Sequence, residues 1–343
     1  MNIAARPIAV LCISALSLLS GWGGREAPAS HVVAYVAVDR QDAEPILDAF
    51  TEQTGIKVRA VYDAEFAKTT GLASRLVAEA ERPRCDVFWN NENVQTLLLA
   101  SRGLLAEYRP RQFASSSPDD GDPNGRWTAV ATRTRVIVYN TRYVSAEDAP
   151  GSIFDLTKPK WRGKVAIANP QFGTTRTHAA ALFAVLGADD AKKFFRELLA
   201  NEVRVVDGNA TVKNLVARAD PNASPIFVGL TDTDDVRSGQ SQGESVELVY
   251  PDQDSIGTLV VASTVCIIRG SPNPEAARRL VDYLAGGEAA EQLAARNSGY
   301  QPVQSAQSVS KQIPPVKSFA IAPGRLLEQL EPSTRWTAEN FRP

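Results

Sequence analysis

The chain has 343 residues, enough for two domains of ordinary size, and its 44% hydrophobic and 22% charged residues are the make-up of a globular protein. A formal net charge of −2 with dispersed basic residues excludes the basic footprint of a nucleic-acid binder. Two histidines, His31 and His178, far apart in the chain, exclude a histidine-based zinc centre.

Residues 1–29 read as a signal peptide rather than as fold. Arg6 gives a positive start, and "IAVLCISALSLL" (8–19) is apolar but too short to span a bilayer. "APA" (27–29) has the small-x-small form of a cleavage site, so an exported chain begins at Ser30. "LLSGWGG" (18–24) is lipoprotein-like, with Trp22 where the lipidated Cys would stand. Export implies an oxidising compartment. The two remaining cysteines, Cys85 and Cys266, sit in apolar strand-like runs and read as buried thiols rather than a disulfide or a metal motif.

From residue 31 strands and helices alternate. "HVVAYVAV" (31–38) is a buried strand, "DAEPILDAFTEQTG" (42–55) an amphipathic helix stopped by Gly55, and "IKVRAVY" (56–62) a strand. A helix over 70–81, a strand at "CDVFW" (85–89) and a helix over 93–105 follow. This order predicts a parallel sheet with helices on both faces. "RTRVIVYNT" (133–141) is a strand long enough to leave the first lobe. Strands at 164–169, 202–207 and 224–230 alternate with helices over 174–187, 189–201 and 210–219. "TLVVASTVCIIRG" (258–270) links the lobes again, two short helices fill 274–297, and a last helix covers 322–332. The expected fold is therefore two α/β lobes, 30–132 with 258–302 and 133–257 with 303–343. The chain crosses between them near 131–137 and 255–262.

Ligands of open α/β sheets sit beyond the carboxyl ends of strands, here in the cleft between lobes. The loops at those ends carry Asp39, then Asn91 and Glu92, then Gly173, Thr174 and Thr175, then Asn209, then Thr231 and Asp232. Gly173–Thr175 open a helix whose free N–H groups suit an anion. "TDTDD" (231–235) crowds three carboxylates, which cap a helix or meet a cation. Asp39, Glu92 and Asp232 are the candidate metal ligands. Tyr35, Tyr62 and Trp89 are possible pocket walls, and Lys68 a possible anion contact. No catalytic constellation is visible: there is no G-x-S-x-G, no phosphate-cradling glycine loop and no His beside a nucleophile. The residues point to binding rather than turnover, with no resident cofactor.

The order of these pieces resembles the periplasmic solute-binding proteins of ABC importers (extracellular solute-binding protein family 1), and most closely the ferric-iron-binding type. The resemblance rests on "DAFTEQTGIKV" (48–58), "DVFWNNE" (86–92), "RVIVYNT" (135–141), "KPKWRGKVAIA" (158–168) and "GSPNPEAARRLVDYLAG" (270–286). It implies a type II periplasmic-binding fold, a monomer that closes on a small ligand, and an ABC permease as partner. The implied cargo is iron or another metal ion with a synergistic anion at Gly173–Thr175. The family's adjacent tyrosine pair is replaced here by Thr231-Asp232. That replacement keeps open an anionic or zwitterionic organic cargo such as an aminoalkyl phosphonate. A sensor's ligand-binding subunit would have the same sequence features.

Overall fold

The computed structural model describes residues 31–63, 70–111, 120–303, 316–319 and 321–341. The signal-peptide residues, Trp22 and Lys68 lie outside them.

The chain opens with β1 (His31–Val36), α1 (Arg40–Thr54), β2 (Lys57–Tyr62), α2 (Thr70–Ala78), β3 (Val87–Asn90) and α3 (Asn93–Ser101). Alternation in β1 sends Val32, Ala34 and Val36 to one apolar cluster and Tyr35 to another, so both faces of the strand are covered. Helix α1 stops where Gly55 adopts φ 71°, a left-handed value that costs glycine nothing, and its N–H bonds to the Thr51 carbonyl.

β4 (Thr128–Asn140) is longer than the sequence suggests and serves two sheets. Its residues 128–134 pair antiparallel with β9 (Val260–Ile267), and 135–140 pair with β7 (Val228–Asp232) and β8 (Val246–Val249). The second half also contains β5 (Val165–Ala168), α4 (Gly173–Leu186), α5 (Ala188–Ala200), β6 (Arg204–Val206), α6 (Asn209–Ala217) and α7 (Thr233–Ser241). After β9 come α8 (Pro274–Leu284), α9 (Gly287–Arg296), the short β10 (Gln301–Pro302) and α10 (Pro323–Asn340). Strand order is β2-β1-β3-β9-β4-β7-β5-β6.

The sheet is mixed, not parallel as the alternation predicts. β1 pairs parallel with β2 and β3, and β5 with β6 and β7, whereas β9 and β4 run antiparallel to their neighbours. The reason is connectivity: β4 and β9 carry the chain between halves, so each enters its sheet from the opposite end. β8 escapes sequence reading because it is short and only its first residue is fully buried.

Each half has its own core, one around Ile46, Phe50 and Leu280 and one around Leu182, Phe194 and Leu198. A further cluster joins Val94 of α3, Ala180 and Ala181 of α4, Val261 of β9, and Leu326 and Leu330 of α10. The last helix thus packs on elements of both halves. Cys85 and Cys266 are buried free thiols; burial raises the pKa of both.

Candidate functional site

β4 pairs with β7 so that Arg135 and Asp232 are direct cross-strand partners. Alternation puts Arg133, two residues away, on the same face. All three side chains are buried: Arg135 is 1%, Arg133 5% and Asp232 0% exposed. Charges so placed require partners. Arg135 Nη1 donates to Asp232 Oδ1 at 2.8 Å. Arg133 Nη1 donates to Asp234 Oδ2 at 2.6 Å and lies 3.4 Å from Asp232 Oδ2. The crowded carboxylates of "TDTDD" are therefore balanced by two arginines of the same chain.

Asp232 holds the N-cap position of α7 but makes no capping bond with its side chain. Its Oδ2 accepts instead from Thr174 Oγ1 at 2.6 Å and from Asn209 Nδ2 at 3.0 Å. Asn209 Oδ1 accepts from Arg135 Nη1 at 3.0 Å, and Thr175 Oγ1 lies 3.2 Å from the same oxygen. Burial pushes the Asp232 carboxyl up, but the Arg135 and Arg133 guanidiniums outweigh it and hold it below the ordinary carboxylate range. Burial also acts to lower the Arg133 pKa, and the Asp234 and Asp232 carboxylates reverse that, leaving it well raised.

Thr231 Oγ1 donates to Asp235 Oδ2 at 2.7 Å. One oxygen each from Asp232, Asp234 and Asp235 lies within 4.8 Å of the others.

Above this network α4 and α6 begin. The N-cap residues, Phe172 and Gly208, supply no side-chain cap. The N–H groups of both first turns therefore lack an intrahelical partner, and each helix start carries partial positive charge. Gly173 takes φ 53° as α4 opens, a backbone state that suits glycine. Both helix starts line one pocket with Arg133, Asn169, Asp207 and Asp235. Such a pocket can hold an anion through backbone N–H groups and a guanidinium.

The structure thus brings together Gly173, Thr174, Thr175, Asn209, Thr231 and Asp232. Asn91 approaches from the other half: Tyr300 Oη is 3.2 Å from its amide. In the orientation that satisfies both neighbours, the Asn91 oxygen accepts from Arg133 Nη1 at 3.1 Å. Glu92 is placed differently. Its carboxylate caps α3, accepting from Val94 N at 2.8 Å and Gln95 N at 3.3 Å, and accepts from Thr177 Oγ1 of α4 at 2.8 Å. Burial raises its pKa. Asp39 precedes α1 and lines neighbouring pockets. Among the described residues, Asp39, Glu92 and Asp232 do not form a group within reach of one ion; Asp232, Asp234 and Asp235 do.

Trp89 and Tyr35 are core, not pocket wall. Trp89 packs with Val36 and Val265, and Tyr35 donates to Glu79 at 2.8 Å. Tyr62 is half-buried beneath the Arg40 guanidinium. Arg133 and Arg135 are the residues that sequence reading misses. The available signal was "RTR", two charges with period two entering an apolar strand, which must face acids on a neighbouring strand.

Comparison with known proteins agrees with this architecture. Residues 98–324 match the family model described as bacterial extracellular solute-binding protein. The Fe(3+)-binding periplasmic protein of Serratia marcescens is 26% identical over 91% of this chain and 90% of its own length. The major ferric iron-binding protein of Neisseria meningitidis serogroup B is 27% identical over 79% of this chain and 80% of its own. Among solved structures, iron-bound HitA from Pseudomonas aeruginosa superposes with a TM-score of 0.78 at 23% identity, covering 90% of this chain and 99% of that one. The fold is the two-lobed type II periplasmic-binding fold. With the family model matching more than half of the chain, residues 98–324, the chain belongs to the bacterial extracellular solute-binding protein family.

Proposed function

We propose that this protein, exported to the periplasm, captures iron or another metal ion together with an anion and presents it to the permease of an ABC importer. The observation that carries the reading is the pocket where two uncapped helix starts, Thr174, Thr175, Asn209 and Arg133 converge beside three carboxylates. The names of the Serratia and Neisseria relatives support iron as the cargo. Binding, not turnover, is the task.

The lobe division expected from sequence belongs to this proposal. It is supported by the change of strand partner between Thr134 and Arg135 in β4 and by the turn over 251–256 that leads to β9. Closure would bring Asp39 and Glu92 of one lobe to Thr174, Thr175, Asn209 and Asp232 of the other, and the contacts of Glu92 with Thr177 and of Asn91 with Arg133 support it. Direct metal coordination by Asp39, Glu92 and Asp232 would require Glu92 to leave α3 and Asp232 to leave its arginines. Metal held at Asp232, Asp234 and Asp235 spares Glu92 but requires both Asp232 and Asp234 to leave their arginines.

Elemental analysis of the protein purified from the periplasm without chelator tests the reading. Near-stoichiometric iron or another metal supports it, and protein still metal-free after incubation with ferric citrate sinks it. A second reading, an anionic or zwitterionic organic cargo such as an aminoalkyl phosphonate, is favoured by one fact: Arg133 and Arg135 already balance the carboxylates. A thermal-shift screen of phosphonates and amines would detect it.

A further inference from the structure

We infer that Arg133 fills the cation position of the acidic cluster, so that the site selects its cargo through an anionic group and takes iron only as an anionic chelate. The inference rests on the solute-binding reading above and narrows it.

Oxygens of Asp232, Asp234 and Asp235 within 4.8 Å of one another have the spacing that would surround a small cation. Arg133 Nη1 stands among them, 2.6 Å from Asp234 and 3.4 Å from Asp232, with the Asn91 oxygen at 3.1 Å. A bare metal ion entering there would meet a guanidinium at contact distance in a place with little water to screen it. The same guanidinium lines the pocket between the starts of α4 and α6. Its Nε is buried without a partner, a donor that protein atoms leave unused. Arg135 completes the balance by engaging Asp232 from the other side. Beside Asp207 and Asp235, what the pocket offers an incoming solute is then the backbone N–H groups of two helix starts and the Arg133 guanidinium as donors. These are matched to carboxylate or phosphonate oxygens and not to a naked metal. Arg133 is thus a specificity-determining residue.

The test uses the mature chain, residues 30–343, freed of ligand, with terbium(III) alone as a luminescent hard-cation probe and ferric citrate as the anionic chelate. Wild type should bind ferric citrate by calorimetry and leave terbium unbound in buffer without phosphate or carboxylate. Arg133→Met should weaken ferric citrate by roughly tenfold or more. It should also gain terbium luminescence, because the carboxylates are released, and adding Asp234→Asn should remove that gain. Should Arg133→Met fail to fold by circular dichroism, the wild-type contrast between terbium and ferric citrate still decides, and Arg133→Lys keeps the charge without the fork. Terbium binding by wild type as tight as ferric citrate overturns the inference, as does ferric citrate affinity unchanged in Arg133→Met. Binding of 2-aminoethylphosphonate or inorganic phosphate that depends on Arg133, with no binding of ferric citrate, would sustain the inference and remove iron as the cargo.

Discussion

Asp232 answers to two arginines, two polar side chains and no helix N–H, and this decides what its loss does. A cap alone is worth about 1 kcal/mol. A buried carboxylate that holds Arg135 at 2.8 Å is worth more, because its removal strands a guanidinium in the interior. Asp232→Asn should therefore cost the ligand-free protein about 3–5 kcal/mol in urea unfolding. Replacing both members together, Asp232→Leu with Arg135→Met, should recover most of that. A loss near 1 kcal/mol for Asp232→Asn would return the residue to mere capping. His178, buried beside this network, gives a pH signature. Burial, reinforced by the Arg135 charge and opposed by Asp232, lowers its pKa to about 3. The unfolded chain, with histidine near 6.5, binds the proton that the folded chain refuses, so stability falls as pH drops from about 6.5 toward 3. His178→Leu should flatten that slope by an amount on the order of a few kcal/mol between pH 7 and pH 4, read by urea midpoints across the range. Asp232, with its depressed pKa, contributes in the same sense but only below its unfolded value near 4. Glu92, raised by burial, contributes with the opposite sign.

At the level of elements, what was legible in the sequence was local. Apolar period and glycine stops located β1, α1, α4, α5, α8 and α9 within a few residues, because in these elements one face or both must be buried. The loops at strand ends likewise brought Thr174, Thr175, Asn209 and Asp232 to notice before any geometry was known. What stayed hidden was pairing. That Arg135 lies opposite Asp232 depends on the register of two strands about a hundred residues apart, which no local pattern encodes. The sheet's mixed direction has the same cause. The end of α10 was hidden for another reason: Pro332 suggests a stop, yet the helix continues to Asn340. Packing explains this, since Leu326 and Leu330 lie in a cluster shared with α3, α4 and β9, and Phe341 joins the core around Leu182. Tertiary burial overrides the missing N–H of one proline. Leu330→Ala should consequently cost about 2–5 kcal/mol in unfolding free energy, as a core residue would, whereas a surface helix position would lose almost nothing.

At the scale of the whole molecule, one contact between halves is backbone on backbone. Past α9 the chain turns at Asn297–Gly299 and presses on the first residues of α7. Thr233 Oγ1 donates to the Gly299 carbonyl at 2.8 Å, and Asn297 Nδ2 to the Asp234 carbonyl at 3.1 Å. A Cβ at Gly299 would fall onto the backbone of Thr233 and Asp234, which has no rotamer with which to yield. These segments come from opposite sides of the proposed lobe division, so their approach belongs to the closed arrangement that also joins Glu92 to Thr177. Domain closure of this kind is a balance of a few such contacts against hinge freedom, and ligand tips it by binding one arrangement better. Gly299→Ala should therefore act less on the fold than on that balance. Each half keeps its core, while closure is penalised by about 1–3 kcal/mol, the scale of an overpacking substitution. In small-angle scattering the variant should contract only at ferric citrate concentrations roughly ten- to hundredfold above those that contract wild type. Its affinity for the chelate should drop by roughly the same free energy. A variant that contracts like wild type would show that this contact persists in the open state and that the hinge lies elsewhere.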